Sequence, residues 1–443
     1  MKIIITGDGE TGAHLAEKLS HEDQSVVLIG TDTARLEVCD SRYNILTQFG
    51  KATCPPALEE AGVSHCDMFI AVTPWEDSNL IAAQLAKSMG ADRTIARIDS
   101  QEYLAPKIKG IFERAGVDSL IYPEYLASQQ IIDSLPHSRS HYELYDGQVN
   151  ILSLRVQDDA PIAGMQLKDF GREQRSFHIC TIRRGRDTII PRGDDVVMPH
   201  DILWFASIGM ADEQSLAAMC GCRLHKISRL MIVGAGKMTR TLCSMISPEI
   251  RVTVIDTDAD ECRKLVDRNR NVTVVNANYR DKYVLEEEKL RDMDAFIALT
   301  SSSETNIVSC MVARDAGVPK TIAEIEDLQY MVEADSLNID TVINKKLITS
   351  SSIYQNLLDH YLPTPHCLAF EDAEVAEIIA GEGAKITKAP MRDLKVPRGT
   401  TIAAIIRDDK GSLVNGNTHI RPGDHVVVFC LEGTLDKIKR WLE

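Results

Sequence analysis

The feature that most constrains this sequence is an internal repeat. A glycine turn at residues 7–12 (Gly-Asp-Gly-Glu-Thr-Gly) and another at 234–239 (Gly-Ala-Gly-Lys-Met-Thr) each follow a short apolar segment. Residues 67–73 (Asp-Met-Phe-Ile-Ala-Val-Thr) recur at the same separation as residues 294–300 (Asp-Ala-Phe-Ile-Ala-Leu-Thr). Because these matches stay colinear over a long stretch, we interpret the chain as two copies of one module.

Each copy is followed by a segment whose pattern differs from that of the repeated module and is similar in the two copies. Alternating segments such as residues 424–429 (Asp-His-Val-Val-Val-Phe), separated by turn residues, are typical of strands. At 443 residues the chain is also longer than one ordinary domain. The pattern predicts the domain order N1, C1, N2, C2. The predicted domains are 1–128, 142–208, 228–350 and 366–443, with linkers near 129–145, 207–228 and 351–368.

Within each N module the pattern is strand, glycine turn, helix, strand. In this setting the first glycine permits a tight turn and the second lets the backbone approach a pyrophosphate. The third allows close packing of helix on strand, with the phosphates at the helix N-terminus. The sequence therefore predicts an α/β protein with two Rossmann-like doubly wound parallel sheets. Each is followed by a small α+β domain, and each N module carries a candidate nucleotide site.

The first copy departs from the usual nucleotide-binding pattern in two ways. Its second strand ends in Gly30, where an acid that binds ribose is expected, and Asp32 is the nearest substitute. Asp8 and Glu10 also place negative charge inside the glycine turn. They would repel a pyrophosphate unless the side chains point away or a divalent cation such as Mg²⁺ intervenes.

The second copy has the complementary pattern. Asp256 ends the second strand of the module, where it can accept hydrogen bonds from ribose hydroxyls. Thr239 replaces the third glycine, which should loosen the packing of helix on strand or shift the phosphate, and Lys237 adds a favourable charge. Two different nucleotides, or one silent site, both fit these departures.

Further candidate ligand residues follow the ends of the predicted strands, where a doubly wound sheet has its crevice. The alternative for them is loop and helix-capping chemistry. Arg97 stands where the second copy has Glu324, which is either a difference in ligand preference or a surface charge swap. The predicted nucleotide-binding residues are Gly7, Asp8, Gly9, Glu10, Thr11, Gly12, Gly30, Asp32, Lys51, Ala52, Thr73 and Arg97 in the first copy and Gly234, Ala235, Gly236, Lys237, Met238, Asp256, Thr257, Asn278 and Thr300 in the second.

Together with the repeated motifs, the segment 391–431 carries a family resemblance. It contains Asp393-Leu394, Pro397-Arg398-Gly399-Thr400 and Pro422-Gly423-Asp424. With the matches above, it resembles the TrkA family of bacterial Trk potassium-uptake regulatory subunits, which carry two regulator-of-conductance (RCK, or KTN) modules in one chain. The resemblance covers nearly the whole sequence.

This resemblance implies a regulatory subunit rather than an enzyme. The implied assembly is a cytoplasmic ring, formed by a homo-oligomer (dimer or tetramer) and held at the inner face of the plasma membrane by a potassium-translocating membrane subunit. NAD(H), ATP or ADP bound in the N modules would bias the shape of the ring. The segments 122–135 and 343–358 resemble the crossover helices that pair modules in this family. Because Gly30 and Thr239 depart from the family pattern, the resemblance does not assign a nucleotide to each copy.

Two other function classes compete with a regulator. An NAD-dependent oxidoreductase needs a proton donor or acceptor beside the nicotinamide, and none of His14, His65 and His141 belongs to a recognisable catalytic arrangement. A structural scaffold with vestigial nucleotide sites also fits the departures at Gly30 and Thr239. We predict no catalytic residues.

Composition argues against further function classes. The net charge of −16 argues against a nucleic-acid-binding surface. No apolar run approaches the roughly 18 residues that a membrane-spanning helix needs. The 11 cysteines contain no CxxC pair, so we predict reduced thiols and no metal site.

Overall fold

The computed structural model describes most of the chain. The residues outside the description are 21–23, 136–139, 145–147, 170–176, 186, 209–212, 223–226, 267–269, 328–329, 331–336, 338, 362–366, 371–372, 432–433 and 443. The described residues divide into two compact units. The first contains residues 1–129, 240–245 and 343–357, and the second contains 130–239, 246–342 and 358–443.

The first unit is built on a six-stranded sheet. Its order is β3-β2-β1-β4-β5-β6, and every neighbouring pair is parallel. Since such a sheet is covered on both faces, its strands are continuous apolar runs, and Ile3, Ile4 and Ile5 are fully buried. The strands are β1 (Lys2–Thr6), β2 (Ser25–Gly30), β3 (Leu46–Phe49), β4 (Met68–Ala71), β5 (Arg93–Arg97) and β6 (Ser119–Ile121).

Helices alternate with these strands along the chain. They are α1 (Glu10–Ser20), α2 (Thr33–Arg42), α3 (Pro55–Glu60), α4 (Glu76–Met89), α5 (Pro106–Arg114) and α6 (Pro123–Ser134). The strand order reverses between β1 and β4, which is the switch point where open α/β sheets bind ligands outside the carboxyl ends of their strands. The predicted doubly wound sheet is confirmed.

The second unit contains an antiparallel five-stranded sheet. Its order is β10-β9-β11-β8-β7. The elements are β7 (Ser140–Leu144), β8 (Val149–Arg155), β9 (Phe177–Arg184), β10 (Asp187–Ile189), β11 (Ile202–Ile208) and α7 (Glu213–Met219).

The same unit contains the second parallel sheet. Its order, β14-β13-β12-β15-β16-β17, repeats that of the first sheet. Its strands are β12 (Arg229–Val233), β13 (Arg251–Asp256), β14 (Val272–Asn276), β15 (Ala295–Ala298), β16 (Lys320–Glu324) and β17 (Thr341–Ile343). The helices that follow its strands are α8 (Lys237–Met245), α9 (Ala259–Val266), α10 (Lys282–Glu287) and α11 (Ser303–Asp315). Residues 240–245 of α8 belong to the first unit.

A second antiparallel sheet completes this unit. Its order is β18-β19-β22-β20-β21. Val149 and Ile151 of the first antiparallel sheet share one buried cluster with Val375 and Phe429 of this one. The elements are β18 (Cys367–Phe370), β19 (Ala373–Ile379), β20 (Thr400–Arg407), β21 (Lys410–Leu413), β22 (His425–Leu431) and α13 (Leu435–Leu442). Between the second parallel sheet and β18 the chain forms α12 (Lys345–Tyr361), whose residues 345–357 belong to the first unit.

The first part of the predicted linker at 351–368 is helical, and so is most of the segment 343–358 that resembles a crossover helix. Residues 351–361 continue α12, because Asn344 accepts the N–H groups of Lys346 and Leu347 at the start of this helix and Ile353 and Tyr354 are buried. The predicted linkers at 129–145 and 207–228 likewise include the end of α6 and the whole of α7.

Helix α12 belongs mainly to the first unit, although it follows the second repeat in sequence. The Lys18 ammonium lies 4.7 Å from the centroid of the Tyr354 ring, a cation–π contact. In the part of the chain that the structure describes, no helix is long and apolar enough to span a bilayer.

Candidate nucleotide-binding sites

In the first repeat, only glycine fits the first position of the loop after β1. Gly7 has φ +117°, and a Cβ there would lie 2.9 Å from the Val72 carbonyl and the Thr73 nitrogen. The Gly7 N–H donates to the Ile29 carbonyl at 2.9 Å. The loop is therefore held between the ends of β2 and β4, at the edge where the strand order reverses.

The other two glycines of this loop have different roles. A Cβ on Gly12 would lie 1.9 Å from the Gly7 carbonyl oxygen, so glycine is required for α1 to start against the loop. A Cβ on Gly9 would meet no atom within 4 Å among the described residues. The backbone at Gly9 thus faces open space, which the close approach of a phosphate requires.

The second repeat has the same loop with one change. Gly234 has φ +99°, and a Cβ there would lie 2.5 Å from the Leu299 carbonyl oxygen, whereas a Cβ on Gly236 would meet no described atom within 4 Å. Thr239 takes the place of Gly12, is buried, and donates its hydroxyl to the Gly234 carbonyl at 2.6 Å. A side chain cannot fit at the 1.9 Å separation of the first loop, so this loop is wider, and the threonine hydroxyl fills the added space.

The remaining loop residues contribute differently. Ala235 and Met238 are buried, so their side chains do not reach the surface of the loop. Lys237 is exposed at the first residue of α8, and Thr257 is exposed beyond the end of β13. Thr11 is half-buried in the first turn of α1.

Asp256 lies at the end of β13, where the sequence predicts a ribose-binding acid. Its Oδ2 accepts the N–H of Ala235, in the glycine loop, at 2.5 Å. Its Oδ1 accepts the N–H of Asp258 at 2.8 Å. These two bonds fix the carboxylate beside the loop.

In the first repeat the carboxylate at this position comes from the loop instead. The Asp8 Oδ2 accepts the N–H groups of Thr31 at 2.7 Å and Asp32 at 2.6 Å, just past the last residue of β2, Gly30. The Asp32 carboxylate itself caps α2 by accepting two N–H groups of its first turn. Asp8 therefore points toward the end of β2, and Asp32 has a capping role in place of the strand-end role expected for it.

The second acid of this loop is paired. Glu10, the first residue of α1, forms an ion pair with Lys346 of α12. The expected repulsion of a phosphate by Glu10 is reduced, because the ammonium group partly neutralises this carboxylate. Lys346 lies far from the loop in sequence, so no local signal identifies it.

Beyond the end of β4, the side chain of Asn79 holds the backbone at the carboxyl edge of the sheet in place. It is fully buried, and its Oδ1 accepts the N–H of Thr73 at 2.9 Å and the Thr73 hydroxyl at 2.6 Å. Its Nδ2 donates to the carbonyls of Thr73 and Arg97, each at 2.9 Å. One side chain thus ties α4 to the ends of β4 and β5.

The second repeat has the same arrangement around Asn306. Its Oδ1 accepts the N–H and hydroxyl of Thr300 at 2.9 and 2.7 Å. Its Nδ2 donates to the carbonyls of Thr300 at 2.9 Å and Glu324 at 2.8 Å. Both asparagines lie outside the predicted nucleotide-binding residues, although each recurs at the same distance after an Asp-x-Phe-Ile-Ala segment, which was the available signal.

Asn79→Ala and Asn306→Ala are each expected to lower the free energy of unfolding by about 2–4 kcal/mol, because buried backbone groups lose their partners. Thermal unfolding combined with hydrogen exchange at the ends of β4 and β15 measures this effect. Asn278→Ala removes an exposed asparagine and is the matched control, with an expected change within about 0.5 kcal/mol. Equal stabilities for the buried and exposed variants would contradict the role given to these networks.

Four other predicted residues lie near the carboxyl ends of the strands. Arg97 ends β5 and pairs with Asp99 at 3.2 Å, and its Nε is buried without a hydrogen-bond partner among the described residues. Lys51 and Asn278 are exposed, Ala52 packs on the core, and Asn278 accepts the N–H of Arg280 at 3.0 Å. Nothing here assigns any of them to a ligand.

Comparison with known protein families accounts for most of the chain. Residues 3–123 and 230–345 match the TrkA-N domain, and residues 151–207 and 375–443 match the TrkA-C domain. The chain belongs to the TrkA family.

Full-length relatives support this assignment. The chain is 30% identical over 442 residues to the Trk system potassium uptake protein TrkA of Halomonas elongata, covering 98% of this chain and 96% of the relative. It is also 30% identical over 445 residues to the protein of the same name from Vibrio alginolyticus, with 97% and 96% covered.

Solved structures agree on the fold. The GsuK RCK domain aligns with a TM-score of 0.61 at 16% identity, covering 100% of this chain and 94% of that one. The GsuK channel bound to NAD aligns with the same score and identity, covering 100% and 78%. At this level of identity the likeness concerns the fold alone.

For this TrkA-family chain, the described residues contain no group of three or more His, Cys, Asp or Glu side chains that could hold a metal ion. The side chain of His141 lies outside the described residues. Burial raises the pKa of the Cys66 and Cys243 thiols to about 12, so both are protonated at neutral pH.

Proposed function

We propose that this chain is the nucleotide-binding regulatory subunit of a Trk-type potassium uptake system. Its two N modules, at residues 1–128 and 228–350, would bind the nucleotide, and its C domains are at 142–208 and 366–443. The observation that carries this proposal is that both repeats of a TrkA-family chain combine a glycine loop open at its second glycine with a carboxylate at the end of the second strand.

The residues present fit an adenine nucleotide such as NAD(H), ATP or ADP. In the second module, the backbone at Gly236 and the start of α8 would hold the phosphates, with Lys237 adding positive charge. Asp256 would accept the hydrogen bonds of the ribose hydroxyls. In the first module, Gly9 and the start of α1 have the corresponding roles. A Mg²⁺ ion would accompany ATP or ADP as part of that ligand.

Regulation requires that the nucleotide bind one shape of the assembly more tightly than another. The relatives are named as Trk system potassium uptake proteins. By analogy, this chain would form a cytoplasmic homo-oligomeric ring, dimeric or tetrameric, and act on a potassium-translocating membrane subunit at the inner face of the membrane. Its role is regulatory, without turnover of a substrate.

Calorimetric titration of the full chain with NADH, NAD⁺, ATP and ADP, with and without Mg²⁺, tests this proposal. We expect one or two sites per chain. Gly9→Ala and Gly236→Ala should each weaken binding at their own site roughly 10- to 100-fold, because a methyl group would separate the phosphate from the backbone donors. A Cβ at either position meets no described atom within 4 Å, so each variant should stay within about 1 kcal/mol of the wild-type stability.

Two results would contradict the proposal. Failure of all four nucleotides to bind would leave a scaffold with vestigial sites. Turnover of NADH with a candidate substrate would indicate an oxidoreductase. Nucleotide-dependent potassium flux through vesicles containing the membrane subunit then tests regulation directly.

A further inference from the structure

Two positions of the nucleotide site, the second residue of the glycine loop and the last residue of the second strand, carry one acid and one small residue in each module. The order of the two is reversed between the modules. In the second module the loop has Ala235 and the strand ends in Asp256, whose carboxylate accepts the Ala235 N–H. In the first module the loop has Asp8 and the strand ends in Gly30.

The Asp8 side chain of the first module lies at the position that Asp256 has in the second, at the end of the second strand. A Cβ built on Gly30 would lie 2.4 Å from both the Cβ and the Oδ2 of Asp8, so the Asp8 side chain covers the end of β2. In both modules this carboxylate accepts the N–H of the residue that caps the next helix, which is Asp32 in the first and Asp258 in the second. Asp8 thus stands where a strand-end acid would put its carboxylate.

We propose that Asp8 is the ribose-binding residue of the first module and makes it selective for an adenine nucleotide with an unphosphorylated ribose. This inference rests on the proposed function, since it concerns the same nucleotide site. It removes the apparent defect at Gly30: the acid is present but is supplied by the loop.

The hydrogen bonds of Asp8 support this role. Its Oδ2 is held by two backbone N–H groups, at 2.7 and 2.6 Å, so the carboxylate is fixed before a ligand arrives. Its Oδ1 accepts no hydrogen bond from the described residues, and Asp8 as a whole is half-exposed. An ionised carboxylate only accepts hydrogen bonds, so it suits the two donors of a ribose diol and repels a 2′-phosphate.

The same geometry makes Gly30 and Asp8 interdependent. Any side chain at position 30 collides with Asp8, so Gly30→Asp alone displaces the carboxylate that it duplicates. Combined with Asp8→Ala, it restores the arrangement of Ala235 and Asp256. The double variant should therefore recover the nucleotide affinity that each single variant loses.

Calorimetric titration with NADH and NADPH, in the full chain carrying Asp256→Ala to weaken the second site, tests the inference. Asp8→Ala should lower the affinity of the first site for NADH roughly 10- to 100-fold and reduce its preference over NADPH. Asp8→Ala with Gly30→Asp should recover affinity and preference to within about threefold of the parent. Thermal unfolding of each variant verifies that the module is folded.

The outcomes separate this inference from the proposed function. Wild-type NADH affinity in Asp8→Ala, or no recovery in the folded double variant, would overturn the role of Asp8. Loss of all nucleotide binding on Asp256→Ala alone would also overturn the role of Asp8, because the first module would then bind no nucleotide. The proposed regulatory function would still be supported by the second module. Absence of binding in the unmodified chain would overturn both.

Discussion

Replacing Gly234 by alanine is expected to destabilise the second parallel sheet by about 2–5 kcal/mol. An alanine there must adopt φ near +99°, and its methyl group would lie 2.5 Å from the Leu299 carbonyl oxygen and 3.0 Å from the Thr300 nitrogen. Both obstacles are backbone atoms at the end of β15, which cannot move without breaking the sheet. Thermal unfolding, with hydrogen exchange followed in β12 and β15, measures the loss.

Gly236→Ala is the matched control for this prediction. It adds the same methyl group two residues later, where no described atom lies within 4 Å. Its stability should stay within about 1 kcal/mol of the parent, although its nucleotide affinity should fall. If both alanines destabilise the sheet equally, the loop does not have the backbone geometry described above.

Asp424→Asn is expected to cost about 3–5 kcal/mol, because it leaves the Arg407 guanidinium without its charged partner. Asp424 is 3% exposed. Its Oδ1 accepts a hydrogen bond from the Arg407 Nε at 2.7 Å, and its Oδ2 accepts one from the Arg407 Nη2 at 2.5 Å. Asp393→Asn removes an exposed acid that lies 3.8 Å from Arg392, and should change stability by less than about 1 kcal/mol. Urea unfolding of the two variants gives the comparison, and equal losses would contradict it.

The ion pair between Asp424 and Arg407 also makes the free energy of unfolding depend on pH. Burial acts to raise the pKa of Asp424, but hydrogen bonds from Arg407 and the Arg421 N–H outweigh it and hold the pKa below its ordinary value of 3.8. A lowered pKa in the folded state means that the stabilisation is fully present above pH about 4 and is lost as the pH falls through the folded value. The difference between wild type and Asp424→Asn should therefore shrink in acid and stay constant from pH 5 to 8.

Much of the site could be predicted because its signals are local. The colinear repeat identified both modules, and the turns at Gly7 and Gly234 follow from a positive φ that glycine alone adopts easily. The position of Asp256 at the end of its strand was likewise readable from the strand pattern. Each depends on a few neighbouring residues whose backbone conformation dictates the residue type.

The direction of a side chain was not readable in the same way. From the sequence, Asp8 either repels a phosphate, points away from it or acts through a divalent cation. In the structure its carboxylate lies over Gly30, more than twenty residues away in sequence. The pairing of Glu10 with Lys346 depends on α12 joining the first unit. Contacts at such separations are set by packing, so composition and spacing carry no record of them.

The sequence by itself determined the repeat, the parallel sheet and strand-rich α+β domain in each copy, and the glycine loops, because hydrophobic period and backbone sterics act over short stretches. Only the tertiary structure decided which carboxylate reaches the end of β2, that one asparagine in each repeat joins two strand ends, and which unit receives α12. These features depend on which surfaces meet after the chain folds, and a linear pattern does not specify that.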